Sequence, residues 1–219
     1  MAHVPHLYVP PPWNERVLPL TDHQDHHLRR VLRSPNSAPL TYTDGQGALG
    51  GGTLGPGGIE RGEESRAPRP SPALTVAVAP TRNSDRARFI VEKLAELGVD
   101  RLLWVTSAYG QAGPPRAEKS VRWAVGSLEQ SRGSWIMDIG EAGFADLPDP
   151  RWLVHPGGGG LPPTHEDVTL VIGPEGGFSP DEVARADTTV GLGARVLRVE
   201  TAAVVAAGLV LNHLGRMNT

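Results

Sequence analysis

The stretch VTLVIGPEGGFSPDE, Val168–Glu182, decides the fold class. Its first part, Val168–Gly173, is a nearly unbroken run of β-branched and apolar residues, the pattern of a strand buried on both faces. Its last part, Ser179-Pro180-Asp181-Glu182, is a helix start. The serine hydroxyl can accept from the N–H three residues on, the glutamate can reach back, and proline occupies the first helical position, where no N–H is needed. Between the two lies Gly173-Pro174-Glu175-Gly176-Gly177, a tight glycine-rich joint. A doubly buried strand running straight into a capped helix is the repeating unit of a parallel α/β sheet.

Working outward, the alternation continues on both sides. Leu74–Ala79 (LTVAVA), Arg101–Thr106 (RLLWVT) and Trp152–His155 read as strands, and Val190–Leu192 as a short one. Asp85–Leu97 reads as a helix with Ala87, Ile90, Leu94 and Leu97 on one face and Gly98 as its stop. Pro115–Ser131 and Thr201–Leu214 read as further helices. Residues 73–219 are therefore expected to form one α/β domain. Residues 1–72 differ: they hold five of the eight histidines, and the stretch Gly45–Gly62 holds nine glycines. Leu40-Thr41-Tyr42-Thr43 entering Asp44-Gly45 reads as a strand and turn. The expectation is a small β-rich domain closed by a polar, proline-rich linker over Glu63–Pro72.

Composition narrows the function. The chain has 219 residues, 27 glycines and 21 prolines without a collagen period, and no cysteine, which removes disulfides, thiolate metal sites and a cysteine nucleophile. The longest apolar run, Ala202–Leu211, is about half of what a bilayer needs, and Met1–His6 carries no signal pattern, so a cytoplasmic protein without a membrane partner is expected. A net charge of −3 gives nucleic-acid binding no general support, so that case rests on local clusters. One is Arg29, Arg30 and Arg33 in HQDHHLRRVLR; another is Arg82, Arg86 and Arg88. Arginine forks suit phosphate oxygens, although pairing with nearby acids is the commoner fate of surface arginines. The histidines 23, 26 and 27 lack a carboxylate or cysteine to complete a familiar zinc set, and no metal is expected.

Ligands in open α/β sheets bind beyond the carboxyl ends of strands. Three loops qualify: His155-Pro156-Gly157, Gly173–Gly177, and Gly193–Arg198. None has the glycine spacing of a dinucleotide fingerprint or the Gly-Lys-Ser/Thr ending of a phosphate loop, which weighs against an NAD- or nucleotide-using enzyme. A non-catalytic RNA-binding module, with these loops as plain turns, stays open.

Taken in order, RRVLR (Arg29–Arg33) with TDG (Thr43–Gly45), VEKLAELGV (Val91–Val99), IGPEGGFSPDE (Ile172–Glu182) and LGARVLRVETA (Leu192–Ala202) resemble the ribosomal RNA small subunit methyltransferase E family, SPOUT-class enzymes that methylate uridine N3 in 16S rRNA. The resemblance implies an N-terminal PUA-like β-barrel and a C-terminal SPOUT-type α/β domain with a mostly parallel sheet and a trefoil knot. It also implies a homodimer acting on 16S rRNA or the small ribosomal subunit. S-adenosylmethionine would be held by Val154, His155, Ile172, Gly173, Pro174, Glu175, Gly176, Gly177, Leu192, Gly193, Val196, Leu197 and Arg198. Arg198 and Glu200 are the expected catalytic pair, Glu175 an alternative proton acceptor, and Arg29, Arg30, Arg33, Arg82 and Arg86 the expected RNA contacts. For Glu200, a cap on the last helix is the competing role. Two segments depart from the family pattern. Ser107-Ala108-Tyr109-Gly110 lacks the usual basic residue. Gln130-Ser131-Arg132-Gly133 reverses the usual Gly-Arg order, and the Val-Pro that should follow is missing.

Overall fold

The computed structural model describes residues 4–217. The chain divides into two compact units: the first runs to Arg69 and includes Leu128–Ile136, and the second comprises Pro70–Ser127 and the chain from Met137 onward.

The first unit is a curled five-stranded sheet. Its elements are β1 (His6–Tyr8), β2 (Val17–Leu18), α1 (Asp22–His26), β3 (Pro39–Thr43), β4 (Ala48–Gly55) and β5 (Gly58–Arg66). The strand order is β1-β3-β4-β5-β2, antiparallel except for the parallel β1–β3 pair. Helix α1 opens with a capping box between Thr21 and Gln24 and runs on as a π-helical turn over His27–Val31, so the HQDHHLRRVLR segment is helical almost throughout. The core gathers Leu7, Val9, Leu18, Leu28, Leu40, Tyr42, Leu54 and Ile59. Glycine lets β4 lie across Tyr42: a Cβ at Gly50 would stand 2.2 Å from the tyrosine ring. The Tyr42 hydroxyl donates to Glu64 at 2.7 Å, and burial, with that carboxylate, pushes it up to about 12. Arg61 grips both oxygens of Glu64 at 2.7 Å and holds its carboxyl below the usual range.

The expected linker over Glu63–Pro72 needs correction. Its first four residues belong to β5, where Glu64 and Ser65 pair with Gly50 and Leu49. A polar composition suits an outer-strand face as well as a linker, which is why composition misled. Residues 128–136 are tied to this sheet by side-chain and backbone bonds. Glu129 accepts from the Tyr8 N–H at 2.9 Å, the Gly47 N–H donates to Ser134 O at 2.9 Å, and the Ile136 N–H donates to Gly45 O at 2.9 Å.

The second unit contains β6 (Leu74–Val78), α2 (Ser84–Glu96), β7 (Arg101–Thr106), α3 (Ala117–Ser131, its end counted with the first unit), β8 (Asp138–Gly143), β9 (Arg151–Gly159), β10 (Val168–Ile172), α4 (Pro180–Ala184), β11 (Thr188–Val190) and α5 (Val199–His213). All six strands are parallel, in the order β11-β9-β10-β6-β7-β8. Alternate residues feed two cores. Val76, Val78, Leu102, Leu170 and Ile172 face one with residues of α2 and α5; Ala77, Leu103, Val105, Leu153 and Val171 face the other with Phe144 and Phe178. Coverage of both faces is what the unbroken apolar strands require. The expected α/β class is thus borne out.

Two local readings shift. The last short strand is Thr188–Val190 rather than Val190–Leu192, and β8 (DIGEAG) has no apolar run that would have announced it. Among the described residues no helix is long and apolar enough to cross a membrane.

Candidate active site

The strand order makes the site. From β6 the chain moves one way to β7 and β8, while β9, β10 and β11 lie on the other side. Such a divergence opens a crevice at the carboxyl ends of the central strands. A cleft of about 740 Å³ lies there, walled by the loop after β6 (Pro80–Asn83), Arg86 of α2, and the loops after β7 (Ala108–Ala112) and β10 (Pro174–Gly176).

The joint after β10 is held from both ends. Ser179 accepts from the Glu182 N–H at 3.2 Å while Glu182 accepts from the Ser179 N–H at 2.8 Å, the expected capping box. The other oxygen of the buried Glu182 takes the Ala108 N–H at 2.8 Å, which fastens the β7 loop to the same helix start. Within the joint, the Gly177 N–H donates to Pro174 O at 2.9 Å, and Gly177 has φ +73°, a left-handed conformation natural to glycine.

Next to it, β9 departs from its partner. Pairing with β11 jumps from Leu153 opposite Thr189 to Gly159 opposite Val190, so residues 154–158 arch out between two paired points. The arch closes where two backbones meet. A Cβ on Gly158 would lie 2.5 Å from the Val190 carbonyl carbon, and one on Gly191 would lie 2.5 Å from Gly158 O. The sequence reading expects a loop at His155-Pro156-Gly157, but these residues lie inside β9 as its arch, because the chain rejoins β11 at Gly159; this arch and the joints after β10 and β11 belong to neighbouring strands. Val154, Leu192 and Leu197 are half-buried against the core, giving these loops apolar side chains beside exposed backbone. His155 pairs its Nδ1 with Pro156 O at 2.7 Å. Val196 is 90% exposed.

Of the expected site residues, Pro174, Glu175, Gly176, Arg82 and Arg86 share the cleft wall; Val154, His155, Leu192, Gly193, Val196, Leu197 and Arg198 lie outside it. Arg198 is exposed and is the N-cap of α5, without a side-chain cap bond. Glu200, in the first turn, is 12% exposed, and its Oε2 is buried with no hydrogen-bond partner. Arg86 Nε lies 3.4 Å from Glu200 Oε1, and its Nη1 lies 3.9 Å from Glu175 Oε1. Arg82 Nη2 donates to Gln111 at 2.7 Å. In the first unit, Arg29 spends its guanidinium on Asp25, Asn36 and the Gly55 carbonyl, so it is built into the fold, whereas Arg30 and Arg33 are exposed.

The sequence reading missed Tyr109 and Gln111. Tyr109 is 48% exposed in the cleft wall, and a Cβ on Gly176 would stand 3.3 Å from its Cβ. The signal was an aromatic residue directly beyond a strand's carboxyl end.

A family model described as RNA methyltransferase domain matches residues 68–147 and 155–211. The ribosomal RNA small subunit methyltransferase E of Rickettsia conorii is 24% identical over 218 residues, covering 88% of each chain. Among solved structures, a probable rRNA-methyltransferase from Porphyromonas gingivalis has a TM-score of 0.86 at 28% identity, covering 97% of this chain and 99% of its own. A ribosomal RNA small subunit methyltransferase E from Neisseria gonorrhoeae, bound to S-adenosyl methionine, has a TM-score of 0.81 at 24% identity, covering 96% and 98%.

Proposed function

Because this chain belongs to the RNA methyltransferase domain family, we propose that it uses S-adenosylmethionine to methylate N3 of a uridine in small-subunit ribosomal RNA, as a cytoplasmic homodimer. The observation that carries the reading is a set of three segments on side-by-side strands: the arch 154–158 within β9 and the joints after β10 and β11. Each brings exposed backbone together with residues suited to an adenosyl group: half-buried Val154, Leu192 and Leu197 for the base, and the glycine joint 173–177 for close backbone approach. The relatives of that name, one bound to the same cofactor, support it.

The residues present fit the cofactor. His155, Gly173, Gly176, Gly193 and Val196 would frame it alongside the three apolar side chains, with Ile172, Pro174, Glu175, Gly177 and the Arg198 backbone completing the cradle. When bound, S-adenosylmethionine supplies a methyl group on a sulfonium, which needs little help in leaving. The difficulty lies with the nucleophile, because uracil N3 holds its proton at neutral pH. Glu200, with an unpartnered buried oxygen, would take that proton. Arg198 would offset the negative charge that spreads onto O2 and O4, an effect greater in the transition state than in the ground state. Pairing hides N3, so the target base must be unpaired or turned out of its helix. Tyr109 offers such a base a stacking face, and Arg30, Arg33 and Arg82 offer phosphate contacts.

The domain division follows the same reading: residues 1–72 as the RNA-binding PUA-like part, and 73–219 as the SPOUT part whose C-terminal chain is knotted. For the dimer, α5 is apolar on its outer side as well, with Val205 40% and Leu209 48% exposed. Leu209→Glu should leave a monomer by light scattering; a variant still dimeric removes this face from the interface.

The deciding experiment incubates the protein with methyl-labelled cofactor and either 30S particles or naked 16S rRNA, then maps the modified nucleotide. N3-methyluridine is expected. In parallel, S-adenosylhomocysteine should raise the melting temperature while NAD and ATP do not. Arg198→Ala should cut turnover by about a hundredfold or more while cofactor affinity stays within several-fold. No transfer and no cofactor binding would leave a non-catalytic RNA-binding module.

A further inference from the structure

Sequence reasoning groups Arg86 with the RNA contacts, yet in the folded chain its guanidinium is turned toward two carboxylates. Nε faces Glu200 at 3.4 Å and Nη1 faces Glu175 at 3.9 Å. The two acids differ. Glu175 is 70% exposed and needs no partner to remain in water, whereas Glu200 is 12% exposed. A largely buried carboxylate is costly unless it is paired. Only one of its oxygens is paired here, since Oε2 has no partner. Of the elements packed on α5, β6 (LTVAV) and β10 (VTLVI) carry no ionisable side chain, and the other two cations of α2 are paired within their own helix, Arg88 with Glu92 at 2.7 Å and Lys93 with Glu96 at 2.5 Å.

We infer that Arg86 is a positioning residue for the methyl-transfer site: it holds Glu200 by one oxygen and so fixes the carboxylate whose other oxygen, buried and unpartnered, is the proposed acceptor of the substrate's proton. This inference rests on the proposed function, in which Glu200 is the proton acceptor. The location of Arg86 supports the division of labour. It stands in the first turn of α2, whose N-terminus is fixed by Asn83 accepting from the N–H groups of Asp85 and Arg86 at 2.8 and 3.2 Å. A side chain anchored on a capped helix and aimed at a buried acid is preorganised in a way that an RNA clamp on a mobile stem is not. The second arm lies 3.9 Å from Glu175 in the joint that follows β10, so the proposed cofactor loop and the proposed base face one cation.

The roles separate in kinetics. Arg86→Ala, assayed with saturating labelled S-adenosylmethionine and 16S rRNA, should lower kcat by about ten- to a hundredfold. Affinity for rRNA, measured by filter binding across a salt series, should stay within twofold with an unchanged salt slope. Arg86→Lys, which restores a cation, should recover most of kcat. In a Glu200→Gln background, Arg86→Ala should cost nothing further, because residues that act as one unit are not additive. Melting curves on each variant report folding, and Arg86→Gln replaces the alanine variant if the latter does not fold. The inference is overturned if Arg86→Ala keeps its kcat while rRNA affinity drops and the salt slope falls by about one, the signature of a phosphate contact. Full additivity with Glu200→Gln overturns it equally. A wild-type protein that neither binds the cofactor nor methylates rRNA would sink the functional reading itself, and that result is in hand before any variant is made.

Discussion

In the first unit a Cβ at Gly50 would stand 2.2 Å from the Tyr42 ring, while at Gly177 in the second unit nothing lies within 4 Å. Both positions need glycine, for unlike reasons. Gly50 is small because β4 must pass over a fully buried tyrosine whose hydroxyl is pinned to Glu64. Gly177 is free in space and constrained in dihedral angle, at φ +73°. One glycine serves packing and the other serves the turn that leads from β10 into α4. The comparison teaches that a glycine-rich composition cannot be read as flexibility: at Gly50 in the curled sheet it marks crowding.

Substitutions can break this contrast or sharpen it. The largest effect is expected for Gly50→Ala, which overpacks a closed core and should cost about 3 kcal/mol in urea unfolding; a change under about 0.5 kcal/mol would mean that β4 can lift off Tyr42. Gly177→Ala places a side chain in the left-handed region and should cost about 1 kcal/mol, with a larger loss in S-adenosylhomocysteine affinity by calorimetry. Equal stability costs at the two sites would erase the distinction.

Acid should act on the first unit through His6. Burial pushes this imidazole below its ordinary 6.5, against the opposing pull of the Gly133 carbonyl and Glu129. The unfolded chain therefore takes up the proton at higher pH than the folded one. The stability linked to His6 is full above about 6.5 and is lost as the pH falls through the lower folded value. His6→Gln should flatten the wild-type decline that sets in below about pH 6.5 in denaturant titrations; parallel curves would clear His6.

The smallest effect concerns Arg132, which holds φ +58° and donates to Val4 O at 2.8 Å. Arg132→Gly relieves the backbone and removes the bond, so stability should change by less than about 1 kcal/mol. A large loss would mean that the side chain matters more than the geometry it occupies.

The second unit was legible because its signals are local. VTLVIG, RLLWVT and the Ser179 capping box each contain their own explanation, and the structure places all three as read. The segment Gln130–Trp135 was legible only as a departure. Its backbone pairs with Gln46 and Gly47, far off in sequence, and no short-range pattern encodes such a partner. β8 was missed for a related reason: DIGEAG has little apolar character, and the strand exists because β7 lies beside it. At the site, the sequence supplied the loops and the arginines. It could not say that Arg29 is consumed by Asp25, Asn36 and Gly55, nor that Arg86 meets Glu200, because both facts depend on which helices end up adjacent.

The crossing of Gly158 and Gly191 has a consequence for drift. A glycine codon is a single base from an alanine codon, so a chain this rich in both residues samples that exchange continually. Gly51 and Gly160, with open space around them, can wander through it unnoticed. At 158 and 191 the opposing main chain stands 2.5 Å from where the new methyl would go, and no rotamer can escape a clash with backbone. A saturation library scored for survival should therefore show two columns admitting a single letter, about thirty positions apart in sequence, and those columns would mark the crossing without any structure.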